Sequence, residues 1–308
     1  MKPSCAILIP TYNGRDILAE CLPSVVEAVE KRGAGDEIVI LDNDSEDDTV
    51  KFIGREFPTV RVMQMGDNLR IFAINVAARE IDRELLFFLN NDMIVSPGFL
   101  DPMLEHFAAP DVFAVTGKVL QWDRRTVQGC RRRAVFSKGW FWYVNDLASL
   151  DRPGITCHAL GGQSAYRREM FLALGCFDEL FSPLYHEDLD ITYRACKRGW
   201  KAVYEPRGVM YHKGAATAGK LHTRHALDVM MRKNMFLFIW KNIHDPRLWA
   251  SHWAALYFRL IVAAARGDRA FVQGFFRALR ERPAAMQRRA AAKAEAKLGD
   301  REALKILR

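Results

Sequence analysis

Three clusters of polar residues follow apolar runs of the chain, and their side chains suit phosphate and sugar chemistry. Thr11-Tyr12-Asn13 follows CAILIP, Asp42-Asn43-Asp44-Ser45 follows EIVIL, and Asn90-Asn91-Asp92 follows LLFFL. An aspartate such as Asp92 can hold Mg²⁺ or Mn²⁺, and the ion can bridge the oxygens of a diphosphate. Asp42 and Asn43 can hydrogen-bond the base or the sugar of a nucleotide. The alternative is that all three clusters are ordinary strand ends that meet water.

A further acidic cluster, His186-Glu187-Asp188, stands at the start of a predicted helix. Carboxylates in a first turn favour the helix dipole, so capping is one interpretation, and Asp190 with Arg194 is predicted to form an ion pair. Three carboxylates within four residues nevertheless repel one another, and a cap needs only one. A carboxylate here could deprotonate an acceptor hydroxyl while a metal-held diphosphate leaves.

Glycines offer a weaker signal for phosphate binding. The chain has no GxxxxGK[ST] motif, so phosphate binding must rest on metal and side chains. Gly161-Gly162 lacks two Cβ atoms, which would let backbone amides approach a ligand closely, although glycines in a loop are ordinarily turns.

Alternating strands and helices are predicted for the first two thirds of the chain. Short apolar runs predict buried strands, and apolar residues at helical spacing predict the helices between them. This order is typical of a parallel sheet, in which ligands bind outside the carboxyl ends of the strands. We therefore predict an α/β fold with strands at 5–9, 37–41, 60–65 and 85–89 and helices at 16–32, 48–57 and 71–81.

Charge divides the chain near residue 215. Residues 216–308 hold 19 Lys and Arg against 7 Asp and Glu, whereas residues 1–215 hold 26 against 30. We predict a domain at 1–215 and a basic helical region at 216–308. Basic residues beside amphipathic helices can contact anionic lipid, so we expect peripheral membrane contact. A helical homodimer interface is the alternative, and nucleic acid is not expected because no nucleic-acid module accompanies the charge.

Cysteine usage and hydropathy predict a soluble cytoplasmic protein. The six cysteines are scattered without a CxxC pair, which suits reduced thiols. The apolar stretches Met235–Trp240 and Trp253–Ala265 fall short of the roughly 20 residues that a membrane span needs. The first residues lack the apolar core of a signal peptide. We expect a cytoplasmic location, with contact at the inner face of the plasma membrane.

Six motifs in order give the chain a resemblance to a known family. PTYNG at 10–14, ILDNDSEDDT at 40–49, NLRIFAINVA at 68–77, FLNNDM at 88–93, LGG at 160–162 and FDELF…YHEDLDITYRACKRGW at 177–200 resemble an inverting family 2 glycosyltransferase. The likeness covers about residues 4–213 and is greatest to rhamnosyltransferase-like enzymes of bacterial surface-polysaccharide assembly. It implies a GT-A type fold, with a mostly parallel sheet flanked by helices and a helical carboxyl-terminal appendage. It also implies a nucleotide-diphosphate sugar donor, UDP- or dTDP-linked, and Mg²⁺ or Mn²⁺.

The resemblance assigns roles to individual residues. It implies that Asp188 is the general base, with Glu187 beside it, and that Asp92 and His212 bind the metal. Asn91 stands where many members have a second aspartate, and Ile71-Phe72 stands where many have a glycine. The nucleotide-sugar site is predicted to include Pro10, Thr11, Tyr12, Asn13, Asp42, Asn43, Ser45, Asn68, Arg70, Asn75, Asn91, Gly161 and Gly162.

An acceptor site is predicted in segment 121–146, where arginines alternate with aromatic residues. Trp140 and Trp142 can stack on sugar rings, and guanidinium groups can pair with phosphate. The equally open alternative is a solvated basic loop beside a hydrophobic cluster.

These observations predict transfer of a sugar, with inversion, from a nucleotide-diphosphate donor to the hydroxyl of a glycan or lipid-linked acceptor. Two other functions stay open. A sugar nucleotidyltransferase has a related sheet, but TYNGRD holds only fragments of its glycine- and arginine-rich loop. A non-catalytic membrane-associated scaffold would bind no nucleoside diphosphate.

Overall fold

The computed structural model describes residues 2–214 and 223–308. The charge boundary predicted at 215/216 therefore lies outside the described residues. In the described part of the chain, ten strands form one sheet and β8 pairs with β9 in a separate hairpin. The strands are β1 (Cys5–Thr11), β2 (Glu37–Asp42), β3 (Arg61–Gln64), β4 (Leu85–Leu89), β5 (Met93–Val95), β6 (Val112–Gln121), β7 (Val127–Gly129), β8 (Arg132–Ser137), β9 (Trp140–Asn145), β10 (Gly154–Ile155), β11 (Gln163–Arg167) and β12 (Lys201–His212).

Helices cover both faces of the sheet and make up most of the carboxyl-terminal region. All predicted helices of the first two thirds are confirmed, and Pro23 lies inside the first of them without ending it. The helices are α1 (Arg15–Arg32), α2 (Thr49–Glu56), α3 (Ala73–Glu80), α4 (Leu100–Leu104), α5 (Arg168–Ala173), α6 (Glu187–Lys197), α7 (Arg224–Asn242), α8 (Pro246–Ala265), α9 (Arg269–Ala294) and α10 (Asp300–Ile306).

The predicted strands form the parallel part of the sheet. β1 lies between β2 and β4, and β3 pairs with β2, all in parallel. The aliphatic side chains of β1 and β4 are almost completely buried on both faces, which is typical of parallel strands covered by helices. Thr11 stands opposite Asp42 in the register, so the polar residues after β1 and β2 emerge at the same edge.

The rest of the sheet mixes strand directions. β11 runs antiparallel between β4 and β6, whereas β12 pairs with β6 in parallel. The prediction of an α/β fold is confirmed, and its parallel character belongs to the β3-β2-β1-β4 part. β12 also pairs with β5 in an antiparallel register that sets His212 opposite Met93, the residue after Asp92.

The carboxyl-terminal helices share a hydrophobic cluster with elements of the amino-terminal part of the fold. Trp240 and Phe236 of α7 are completely buried together with Phe141 of β9 and Tyr193 of α6. Tyr193 donates a hydrogen bond of 2.9 Å to Asp300 of α10. Helices within residues 223–308 therefore pack against the helix that carries the acidic cluster.

Candidate active site

One cavity of about 620 Å³ opens at the carboxyl ends of β1 and β4, beside the first turn of α6. It brings together most of the predicted site residues, although they come from seven separate segments. The predicted residues that line it are Pro10, Thr11, Tyr12, Asn43, Asn68, Arg70, Asn91, Asp92, Gly161, Gly162, Glu187, Asp188 and His212.

Two buried side-chain oxygens at the end of β2 have no hydrogen-bond donor among the described residues. Asp42 is 1% exposed and Asn43 is 2% exposed, and the Oδ1 atom of each has no hydrogen-bond partner among the described residues. Their other polar atoms are engaged, since Ser45 N donates to Asp42 Oδ2 at 3.3 Å and Asn43 Nδ2 donates to the Arg70 carbonyl at 3.2 Å. A buried acceptor without a partner is costly. Asn43 lines the cavity, so its Oδ1 suits a ligand that brings N–H or O–H groups, whereas Asp42 is not part of the lining.

Asn13 and Ser45 support the site instead of lining it. Asn13 N donates to Ser45 Oγ at 2.9 Å, and Asn13 Oδ1 accepts from Glu46 N at 2.8 Å. These bonds join the loops that follow β1 and β2. In the structure they hold the two loops together, and their predicted contact with the nucleotide stays a prediction.

Asn75 is a structural clamp. Its Nδ2 donates to the Phe177 carbonyl at 2.9 Å, and its Oδ1 accepts from Phe177 N at 3.0 Å. The side chain is buried and lies outside the 620 Å³ cavity, and its predicted contact with ribose or diphosphate stays a prediction. The amide is fully used in fixing α3 to the segment before α6.

Asp92 and His212 converge at the rim of the sheet. The β5–β12 register brings them together, and His212 Nε2 lies 3.0 Å from Asp92 Oδ1. Gln128 Oε1 lies 3.0 Å from His212 Nδ1 and orients the ring. A carboxylate and an imidazole that meet at one point are a suitable donor pair for Mn²⁺ and an acceptable one for Mg²⁺.

These two donors are fewer than an all-protein metal site requires. Among the described residues, no group of three or more His, Cys, Asp or Glu side chains is placed to hold an ion. Asn91, at the predicted second aspartate position, donates from Nδ2 to Thr11 Oγ1 at 2.9 Å. An ion held by Asp92 and His212 would therefore take its remaining oxygens from ligand and water, as Mg²⁺ does in phosphate-transfer sites.

The Asp188 carboxylate is held in its ionised form. His158 Nε2 lies 2.8 Å from Asp188 Oδ1, and Gly161 N donates to Asp188 Oδ2 at 3.0 Å. Burial alone would raise the pKa of Asp188, but the His158 ring and the Gly161 amide outweigh it and hold that pKa well below its usual range. Asp188 is thus a charged acceptor with two fixed neighbours.

The neighbouring carboxyl has the opposite character. Burial and the charge of Asp188 raise the pKa of Glu187 well above its usual value. Its Oε2 is buried and has no hydrogen-bond partner within residues 2–214 and 223–308. Two adjacent carboxyls with pKa values driven apart resemble the acid and base assignments of enzyme sites.

His186, the residue before α6, is strained and buried. Its backbone is left-handed, with φ 73° and ψ 0°, a conformation that disfavours residues with a Cβ atom. Burial lowers the pKa of its imidazole to about 4, so the ring is neutral, and its Nδ1 lacks a partner in the described part of the chain. Strained residues of this kind concentrate at functional sites.

The Gly161-Gly162 pair allows three segments to meet. A Cβ on Gly162 would overlap the Asn90 side chain, and one on Gly161 would crowd Ile71 and Asp188. Both glycines line the cavity, but the Gly161 amide is already bonded to Asp188. The structure shows them in close packing around Asp188, and the predicted approach of their amides to a ligand stays a prediction.

The predicted acceptor tryptophans lie elsewhere. Trp140 is 3% exposed and packs against Phe236 and Phe271 of the carboxyl-terminal helices, so it cannot stack on a sugar. Trp142 is 43% exposed but lies outside the cavity lining. The aromatic ring of β9 that does line the cavity is Tyr143, with the Arg132 guanidinium 5.2 Å above its centre.

Sequence reasoning missed several residues of the cavity. His158 stands two residues before the LGG motif, and the only signal for it was a histidine next to that motif. Arg132 and Tyr143 belonged to the arginine- and aromatic-rich segment that was singled out, but not to the pair chosen from it. His186 was treated only as part of the acidic cluster.

Buried charges fix the helix that carries Asp188. The predicted ion pair is confirmed, with Arg194 Nε 2.7 Å from Asp190 Oδ2. Lys241 and Asn242 of α7 also bond to Asp190, each at 2.8 Å. Asp190, Arg194 and Lys241 are all buried. Loss of any one of these side chains would leave an uncompensated charge in the core.

Known proteins are similar to this chain in sequence. The family model described as "Glycosyl transferase family 2" matches residues 6–175, more than half of the chain. The chain is 24% identical over 262 residues to the N-acetylglucosaminyl-diphospho-decaprenol L-rhamnosyltransferase of Mycobacterium tuberculosis (strain ATCC 25618 / H37Rv), covering 76% of this chain and 83% of that protein. It is 27% identical over 228 residues to the O-antigen biosynthesis protein RfbC of Myxococcus xanthus, covering 70% of this chain and 18% of that protein. The uncharacterized protein y4gI of Sinorhizobium fredii is 24% identical over 267 residues, covering 79% of this chain and 28% of its own length. The chain thus spans less than a third of two of these relatives.

Solved structures show the same architecture at low sequence identity. GalNAc-T7 with UDP, GalNAc and Mn²⁺ gives a TM-score of 0.61 at 17% identity, covering 79% of this chain and 48% of that one. The mannosyltransferase PcManGT from Pyrobaculum calidifontis, in complex with GDP-Man and Mn²⁺, gives a TM-score of 0.56 at 19% identity. This match covers 96% of this chain and 86% of that one. The predicted GT-A type fold is confirmed. With the family model matched over residues 6–175, the chain belongs to glycosyl transferase family 2.

Proposed function

We propose that this protein transfers a sugar, with inversion, from a nucleotide-diphosphate donor to the hydroxyl of a glycan or lipid-linked acceptor. The observation that carries the proposal is that one cavity holds both an ionised, immobilised Asp188 and the Asp92–His212 pair. The first can accept a proton, and the second can hold an ion against a diphosphate. The unpartnered Oδ1 of Asn43, which lines the same cavity next to Asp42, would accept a hydrogen bond from the nucleoside.

Asp188 is the general base in this proposal. Its carboxylate accepts the proton of the attacking hydroxyl, while His158 and the Gly161 amide keep it charged and oriented. Glu187, protonated because its pKa is raised by burial, donates a hydrogen bond to a hydroxyl of the substrate. Neutral His186 offers its unpartnered Nδ1 to the same end of the cavity.

Asp92 and His212 would hold Mg²⁺ or Mn²⁺, which offsets the charge of the departing diphosphate. The mixed carboxylate and imidazole set favours Mn²⁺ of the two ions. Arg70 and Asn68 line the same cavity and are placed to contact the donor. Asn68 Oδ1 accepts from the Arg70 amide at 3.2 Å, which fixes the turn that carries both side chains.

The relatives support a role in the assembly of bacterial surface polysaccharide. One is named as a rhamnosyltransferase that acts on N-acetylglucosaminyl-diphospho-decaprenol, and another as an O-antigen biosynthesis protein. We infer a UDP- or dTDP-linked donor, a lipid-linked or glycan acceptor, and action at the cytoplasmic face of the membrane. Tyr143 and Arg132 are suited to the sugar and the phosphate of such an acceptor.

The proposal is tested by measuring thermal stability of the protein with UDP-, dTDP- and GDP-sugars, with and without Mn²⁺. One sugar nucleotide should raise the melting temperature, and more so with Mn²⁺. Release of nucleoside diphosphate on addition of a lipid-linked acceptor then identifies transfer. Release of pyrophosphate from a nucleoside triphosphate would instead show a nucleotidyltransferase, and failure of every nucleotide to bind would favour a scaffold.

A further inference from the structure

Helix α8 presents an apolar face to solvent. Tyr257 is 74% exposed, Phe258 68% and Ile261 50%, and the exposed Ala250, Ala254 and Ala265 lie on the same side at helical spacing. Phe276 of α9 adds a further exposed ring. Large apolar side chains grouped in this way on a monomer's surface mark a site of interaction.

The length of α8 corrects the expectation from sequence. Among the described residues, it is the one helix long and apolar enough to cross a membrane, with 20 residues and an 18-residue window whose mean hydropathy is 1.2. The apolar stretch Trp253–Ala265 is shorter than a membrane span and contains Arg259. The helix is longer than this stretch because it begins earlier, at Pro246. Only 17% of the apolar window is buried, so α8 is not a core helix either.

The other face of α8 is fixed to the protein. His252 accepts from Trp240 Nε1 at 3.0 Å, and its Nδ1 lies 2.8 Å from the Gly139 carbonyl oxygen. Leu256 is 3% exposed on the same side. A helix held in this way cannot be surrounded by lipid, but it can lie in the plane of a membrane surface with its open face down.

Positive charge predominates around the apolar face. Residues 246–280 contain six arginines and a single acidic residue, Asp268. Asp268 is engaged as the cap of α9, where its Oδ1 accepts from Phe271 N at 3.0 Å. Arg247, Arg266, Arg269 and Arg277 are all exposed. A symmetric contact between two copies would bring arginine against arginine, whereas anionic lipid headgroups would neutralise them.

We propose that the exposed face of α8, with Phe276 and the surrounding arginines, docks on an anionic lipid bilayer. Apolar side chains enter the boundary of the acyl chains while the arginines contact phosphate headgroups. The proposal rests on the proposed function in one respect only, namely that docking would give the protein access to a lipid-linked acceptor. Arg259 of α8 stacks on Trp142 of β9 at 5.6 Å, and the next residue, Tyr143, lines the cavity, so the docked surface adjoins the site.

Flotation of the full-length protein with lipid vesicles tests the proposal without substrate. The protein should float with vesicles that contain phosphatidylglycerol and much less with phosphatidylcholine alone. The double variant Phe258→Glu/Ile261→Glu should lower partitioning about tenfold or more, and Arg266→Glu/Arg269→Glu should remove the preference for anionic lipid. Leu147→Glu, at an apolar side chain that is 60% exposed outside α8 and α9, is the matched control and should float like the parent.

Equal flotation of the Phe258→Glu/Ile261→Glu variant and the parent would overturn the proposal. So would a dimer, seen by light scattering, that this variant converts to a monomer, because a second copy would then cover the face. Donor binding by thermal shift is measured on the same variants and should be unchanged. Loss of flotation with intact donor binding separates this proposal from the proposed catalysis, and loss of both would indicate misfolding, which circular dichroism checks.

Discussion

The Nε2 atom of His158 lies 2.8 Å from Oδ1 of Asp188, although the two residues come from different segments of the chain. His158 precedes β11, and Asp188 stands in the first turn of α6. The contact opposes the effect of burial and keeps the carboxyl ionised. In the proposed mechanism, His158 therefore positions Asp188, the proposed base.

Replacement of His158 should move the pH profile of the reaction. In His158→Gln the carboxyl loses the neighbour that lowers its pKa, so the pKa of Asp188 rises. The acid limb of kcat/KM should then shift to higher pH, with a loss of about tenfold at neutral pH. A lower rate with an unmoved acid limb would contradict this role and indicate a purely structural one.

Removal of either proposed metal ligand should weaken donor binding only when metal is present. Asp92→Ala and His212→Ala each leave one protein donor, so the effect of Mn²⁺ on nucleotide affinity should fall by about tenfold or more. Isothermal titration with nucleoside diphosphate, with Mn²⁺ and with a chelator, measures both affinities. An equal loss with the chelator would show that these residues contact the nucleotide directly.

Glu187 should make the protein less stable as pH rises. Its folded-state pKa is raised above the unfolded value near 4.5, so the unfolded state loses its proton first. Stability is full below that value and declines as pH rises through the interval up to the folded pKa. The variant Glu187→Gln lacks this proton, so its melting temperature should gain on the parent between about pH 5 and pH 8. A constant difference across this range would refute the raised pKa.

Replacement of His186 by glycine should raise stability and lower activity. His186→Gly relieves the left-handed strain and should raise the free energy of unfolding by about 1 kcal/mol. It also removes the buried Nδ1 from the cavity, so kcat/KM should fall by about tenfold. Lys138→Gly is the control, because Lys138 also has a positive φ, of 51°, but lies outside the cavity. Full activity in the His186→Gly variant would remove the imidazole from the site.

The sequence predicted the strand ends well because that information is local. Apolar runs closed by polar residues mark where buried strands meet an edge, and the register of Thr11 with Asp42 confirms the shared edge. The proximity of Asp92 and His212 needed the family resemblance, since a β5–β12 pairing across more than a hundred residues leaves no local signal.

The sequence predicts the directions and contacts of individual side chains less well. In β9 the sequence WFWY does not say which ring faces the cavity, and the carboxyl-terminal helices decide it by burying Trp140 and leaving Tyr143. The sequence does not predict the clamp formed by Asn75, because an amide near a ligand and an amide that clamps a loop look alike in sequence. The buried Lys241–Asp190 bond was also invisible, because it joins residues 51 positions apart.

The most direct test of the account is to measure sugar transfer and donor affinity together in Asp188→Asn. The asparagine keeps the shape of the side chain but cannot take up a proton. Turnover should fall by at least about a hundredfold, while the Kd of the sugar nucleotide with Mn²⁺ should stay within about twofold of the parent value. Turnover close to that of the parent, in a variant that still binds its donor, would show that the proton goes to another group.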